Sequence, residues 1–179
     1  AALTKADLQI SDVTMVPLSI GEHLQGYIDN KVDALATFEP VRTKLLEQNA
    51  SILFSSAEIP GRIIDILAVR ADAIDNYNDE LSELLNGYFR ALDYFKSHPL
   101  EAERIMEKRL GKNPLNQFNG MDLPNLTNNY LYLEGKSARI VATSEYLMNL
   151  MLNHKLLRRS FSLTKIAEPR FLPNIQPQD

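Results

Sequence analysis

Within the first 55 residues, three largely apolar runs, at 12–18 (rich in β-branched residues), 33–38 and 51–55, are separated by two stretches of helical spacing. Few folds accommodate that order. Val13, Thr14 and Val16 carry the first run and Pro17 closes it. Ser19 and Glu22 then stand at the spacing of a capping box, in which the two residues satisfy each other's orphan N–H groups. Leu24, Tyr27 and Ile28 follow on one helical face. The second run has too little polarity for a strand with one face in water, so it reads as covered on both. Pro40 suits the first turn of a helix, where its missing N–H costs nothing, and Val41, Leu45 and Leu46 supply that helix's stripe. A β-α-β-α-β order with short connections predicts an α/β fold built on a parallel sheet with crossover helices.

Pro60-Gly61 interrupts this pattern and fits a change of direction. The run 63–70 after it is the most apolar in the chain and reads as a fourth strand. Beyond residue 77 the period becomes helical. Leu81, Leu84, Leu85, Tyr88, Phe89, Leu92 and Phe95 form one long amphipathic stripe. A second helix has Pro99 in its first turn, Ala102, Ile105, Met106 and Leu110 inward, and Gly111 at its stop. Residues 112–136 lose periodicity and read as turns and a loop, with an extended piece near 130–133. Helical spacing returns over 137–153, and 167–173 reads as an extended tail.

Composition narrows the chemistry. The 179 residues hold no cysteine, which removes disulfides, thiolate metal sites and cysteine nucleophiles together. His23, His98 and His154 are far apart and form no ligand pair of zinc-site spacing. The seven glycines make none of the phosphate-cradling or nucleophile-elbow motifs. A net charge of −4 argues against a dedicated nucleic-acid binder. No apolar run approaches the roughly 20 residues that span a bilayer.

An ordered series of segments carries a resemblance. The chain resembles the later part of a nitrate/sulfonate/taurine-type solute-binding protein of ABC importers, a group related to thiamine-pyrimidine-precursor binders. The matching segments are Asp12-Val-Thr-Met-Val-Pro-Leu18 with Gly21-Glu22, Asn30-Lys-Val-Asp-Ala34 into Thr37-Phe-Glu-Pro40, and Ile59-Pro-Gly-Arg-Ile-Ile-Asp-Ile-Leu-Ala-Val-Arg70. Phe89-Arg-Ala-Leu-Asp-Tyr-Phe95 with His98-Pro99 and the late Arg170-Phe-Leu-Pro173 complete it. The resemblance implies a type 2 periplasmic-binding fold of two lobes. Residues 1–58 would then belong to the second lobe, 59–62 to the crossover, and 63–179 to the mostly helical C-terminal portion of the first. It implies a small polar solute held between lobes and passed to a membrane permease, with no catalysis, cofactor, metal or nucleic acid. The place of work would be periplasmic or otherwise extracytoplasmic, with membrane association through the transporter or a lipid anchor. The family's opening β-α units have no counterpart here. The expectation is therefore a fragment with negligible affinity for free nitrate, sulfonates or pyrimidines, and a homodimer through the surface left exposed. The alternative is a ligand-sensing domain of the same fold in a signalling protein. A pyrimidine synthase of related fold relies on a cysteine-rich motif that this chain lacks.

Ligands of open α/β sheets bind beyond the carboxyl ends of the strands. That rule selects Ser19 and Gly21 after the first run, and Thr37, Phe38 and Glu39 after the second. A hydroxyl, an aromatic face and a carboxylate suit a small polar ligand, while simple capping of the two helices explains Ser19 and Glu39 equally well. Asp65 lies inside an apolar run and needs a partner: a ligand at the cleft, or Arg62 or Arg70. Ile59, Pro60 and Gly61 are the candidate hinge. The basic cluster at 154–159 reads as cations at a helix C-terminus and receives no partner.

Overall fold

The regular structure of the chain is helical. A computed structural model describes residues 1–118, 120–135 and 138–174, and among them it contains α-helices and short 3-10 turns but no strand. The α/β expectation is therefore corrected: runs 12–18, 33–38, 51–55 and 63–70 form no sheet, parallel or otherwise. Their local preference is visible all the same. Val13 (φ −129°, ψ 148°) and Ser55 (φ −128°, ψ 148°) are extended, as β-branched or turn-flanking residues favour. Pairing is a different matter. A ladder needs a neighbour in register, and a single segment cannot supply one. Residues 14–17 lie exposed, as do Ile63 (71%) and Leu53 (81%).

The chain divides into two compact units, residues 1–60 with 103–121 and residues 61–102 with 122–179. In the first unit the helices are α1 (Ala2–Lys5), α2 (His23–Ile28) and α3 (Val41–Glu47). A 3-10 turn, Ile20–Glu22, leads into α2 and carries the expected Ser19/Glu22 box. A second box, Ser55 with Glu58, starts the 3-10 turn Ser56–Glu58, and Lys5 pairs with Glu58 to tie α1 to it. Leu45 of α3 is buried. Gly26 on α2 is buried too, and a Cβ there would stand 2.7 Å from Leu18 Cδ1, so the absent side chain lets Leu18 pack onto the helix.

The second unit holds α4 (Ala71–Asn76), α5 (Asn78–Ser97), α7 (Leu126–Leu133) and α8 (Arg139–Asn153), while α6 (Pro99–Leu110) runs across the division between units. Asp79 and Glu80 in the first turn of α5 and Lys96 in its last complement the helix dipole. Its inward stripe supplies Phe89 and Leu92, which pack with Leu172; Leu85, Leu123, Leu126, Tyr130 and Leu133 surround them. Leu84 and Tyr88 of the expected stripe are about half exposed, at 54% and 47%. On α6 Ala102 is buried as expected, but Ile105 and Leu110 are exposed. The extended piece expected near 130–133 is instead the end of α7. Asn125 caps that helix, its Oδ1 accepting the Asn128 N–H at 2.9 Å, a local bond that starts a helix where apolar periodicity is weak. The tail is anchored: Phe171 and Leu172 are buried, and the Tyr130 hydroxyl donates to the Pro173 carbonyl at 3.2 Å. Lys136 and Ser137, at the edges of the loop and helix expectations, lie outside the described residues.

Candidate functional site

The candidate site is built on two turns of the first unit, each leading into a helix. In the first, the Ser19 N–H donates to Glu22 Oε2 at 3.0 Å and the Ser19 hydroxyl to the same oxygen at 2.6 Å. These two bonds, the hydroxyl first, hold the Glu22 carboxyl below its ordinary value of 4.5. Ser19 is thereby committed to the box. Gly21 is exposed, with nothing within 4 Å of where a Cβ would be.

The second turn, Thr37–Phe38–Glu39, enters α3. Phe38 is 58% exposed. Glu39 points the other way, its side chain only 7% exposed. One carboxylate oxygen accepts from Arg42 Nη1 at 2.7 Å, and the other from the Thr43 N–H at 3.1 Å and the Thr43 hydroxyl at 2.8 Å. Both oxygens are engaged by α3 itself. The guanidinium of Arg42 lies under Gly120, whose Cβ position is 3.5 Å from Nη1. Thr43 also donates to the Asn116 carbonyl at 3.4 Å.

One contact joins the two turns. His23, the first residue of α2 and buried at 9%, sets Nδ1 3.1 Å from the Thr37 hydroxyl. The turn of Ser19 and Gly21 and the turn of Thr37, Phe38 and Glu39 thus lie in one unit and are joined through His23 and Thr37. His23, Arg42 and Thr43 join them without having been selected from the sequence. Arg42 and Thr43 had a signal, since they stand at i+3 and i+4 from Glu39 on a helix. His23 had none, because its partner is fourteen residues away.

Asp65 and Gly61 belong to the second unit. Asp65 is exposed and makes no ion pair among the described residues. Arg62 donates instead to the Tyr146 hydroxyl at 2.6 Å, and Arg70 pairs with Asp72 at 2.7 Å. Gly61 sits at φ +73°, its carbonyl accepting the Thr143 hydroxyl at 3.0 Å. Ile59 is half-buried and Pro60 exposed, at the end of the first unit's opening segment. Among the described residues no group of three acidic or histidine side chains is placed to hold a metal ion, and no helix is long and apolar enough to cross a membrane.

A family model described as NMT1-like matches residues 1–110, which is more than half of the chain and includes both turns. The chain belongs to the NMT1-like family. NMT1-like proteins are solute-binding proteins of the nitrate/sulfonate/taurine type and are typically extracytoplasmic. No curated protein and no solved structure matches the chain. Within an NMT1-like binding protein, the two linked turns supply a hydroxyl held by a histidine beside an exposed aromatic face. A hydroxyl and an aromatic face are the kinds of group by which ligand pockets orient small polar molecules.

Proposed function

We propose that the chain is the substrate-binding component of an ABC importer of the nitrate/sulfonate/taurine or pyrimidine-precursor kind, and that it binds a small polar solute at the Thr37–Phe38 turn. The observation that carries this reading is the His23–Thr37 contact beside the 58%-exposed Phe38, in a family of solute binders. Thr37 hydrogen-bonds the solute, Phe38 covers one face of it, and Gly21 leaves room for its approach. Glu39, occupied by Arg42 and Thr43, positions the turn. Ile59, Pro60 and Gly61 are the pivot of the conformational change that accompanies binding. The bound solute passes to the importer's membrane permease on the outer side of the cytoplasmic membrane. The exposed apolar runs support a homodimer.

The test is an NMR titration of the chain with nitrate, taurine and an aminopyrimidine in turn. A turn this exposed buries little of a ligand, so binding is expected in the millimolar range rather than tighter. Shifts at residues 19–23 and 37–39, with smaller ones at the 59–61 pivot, all lost in Thr37→Val, are the expected result. Shifts from no compound, or shifts that Thr37→Val leaves unchanged, would reject this site.

A further inference from the structure

The segment after α8 has a charge pattern unlike the rest of the chain. Between Glu145 and Glu168 there is no acidic residue, while Lys155, Arg158, Arg159 and Lys165 bring four positive charges to a chain whose net charge is −4. Helix-dipole stabilisation does not account for them. That effect fades within the last turn of a helix, α8 ends at Asn153, and its last turn contains no basic residue. All four side chains are exposed, and none makes an ion pair among the described residues.

Two hydrogen bonds fix the backbone here. The Lys155 N–H donates to the Leu152 carbonyl at 3.0 Å and the Leu156 N–H to the Met151 carbonyl at 2.8 Å, with Lys155 at φ +57°. This is the paired-bond helix stop that glycine usually occupies, and it is commonly sealed by an apolar contact from the residue that here is Leu156. The seal is missing. Leu156 is 72% exposed, and Phe161 nearby is 55% exposed. A lysine thus stands where glycine would be less strained, and two exposed apolar side chains are interspersed along the chain with four unpaired cations.

We propose that residues 154–165 are a docking surface for an anionic lipid membrane. The cations face the headgroups, and Leu156 and Phe161 enter the boundary between headgroups and acyl chains. An acidic protein surface would match the charge but gives no reason for an exposed leucine and an exposed phenylalanine in the same short segment. The inference is independent of the proposed solute site, since its residues all lie in the second unit.

The experiment is co-sedimentation of the chain with protein-free vesicles of phosphatidylethanolamine and phosphatidylglycerol, three to one, against vesicles of phosphatidylcholine alone. Binding is expected only to the anionic vesicles, and it should be lost as salt rises from about 0.1 M to about 0.5 M. Each cation removed by Arg158→Gln, Arg159→Gln or Lys165→Gln is expected to lower partitioning roughly 5-fold. Lys155→Gly relieves the left-handed backbone and so cannot fail by unfolding, yet it should weaken binding by the same factor. Leu156→Ser with Phe161→Ser should weaken it further at constant charge. Equal binding to both vesicle types, or no effect of these variants, would overturn the proposal. So would binding confined to native membranes and abolished by protease treatment of them, which would assign the surface to an acidic protein instead.

Discussion

Single residues in this chain hold turns, and turns hold the candidate site. Gly61 is the plainest case. Its φ of +73° lies in the left-handed region, and a Cβ there would come within 3.3 Å of the Tyr132 hydroxyl. Gly61→Ala is expected to lower the stability of the second unit by about 1–2 kcal/mol, the usual left-handed cost of an L side chain, read as a lower urea midpoint. Glu22 offers a titration with a definite sign. Its carboxyl is held below 4.5 by the Ser19 hydroxyl and N–H. The carboxylate form therefore favours the folded turn at pH values above 4.5, and that preference disappears as pH falls through the lowered value. Carboxyl NMR should show Glu22 titrating below 4.5 and moving up toward it in Ser19→Ala. No movement would mean that the hydroxyl bond at 2.6 Å does not persist in solution. The Ser19/Glu22 box was legible because both of its partners lie within one turn of each other. His23 was not, because a histidine at a helix start has no local signature for a hydroxyl fourteen residues on.

Helices were legible wherever a stripe and its punctuation agreed. The α5 stripe is anchored by Asp79 and Glu80 at one end and followed by Pro99 at the other, and the helix runs Asn78–Ser97. Which side of the stripe turns inward was less legible, because a 20-residue amphipathic face is wider than the contact it makes. Phe89 is 7% exposed and Leu84 is 54% exposed, although both lie on the same apolar face in the sequence. Phe89→Ala is accordingly expected to cost about 3–5 kcal/mol, whereas Leu84→Ala should change the urea midpoint little. Equal losses for the two variants would show that Leu84 is covered in solution. The helix α7 is not legible in the sequence, for the opposite reason. Its start depends on the Asn125 cap, and the run Asn128, Asn129, Tyr130 resembles loop composition.

At the scale of the whole molecule, the largest difference between sequence and structure lies in the four apolar runs. Each has the composition of a strand, and none is paired among the described residues. Apolar composition of this kind favours an extended backbone, but the ladder that turns extension into a sheet is a property of two segments at once. The consequence is exposed apolar surface: Met15 at 73%, Leu53 at 81%, Ile63 at 71%, Ile66 at 64% and Leu67 at 60%. Covering an aliphatic side chain of this size is worth about 1.5–3 kcal/mol, and unpaired extended segments are templates for pairing with another chain. The chain should therefore self-associate, with a sedimentation coefficient that rises with concentration and a dye for apolar surface that binds strongly at low concentration and less at high. Leu53→Lys and Ile66→Lys place a charge in the exposed runs without removing a buried contact. They should leave the urea midpoint of the dilute chain unchanged and suppress the rise in sedimentation coefficient. A wild-type chain that sediments as a single species at every concentration would show that these runs are covered from within the molecule, and the two lysine variants would then unfold it instead of dispersing it.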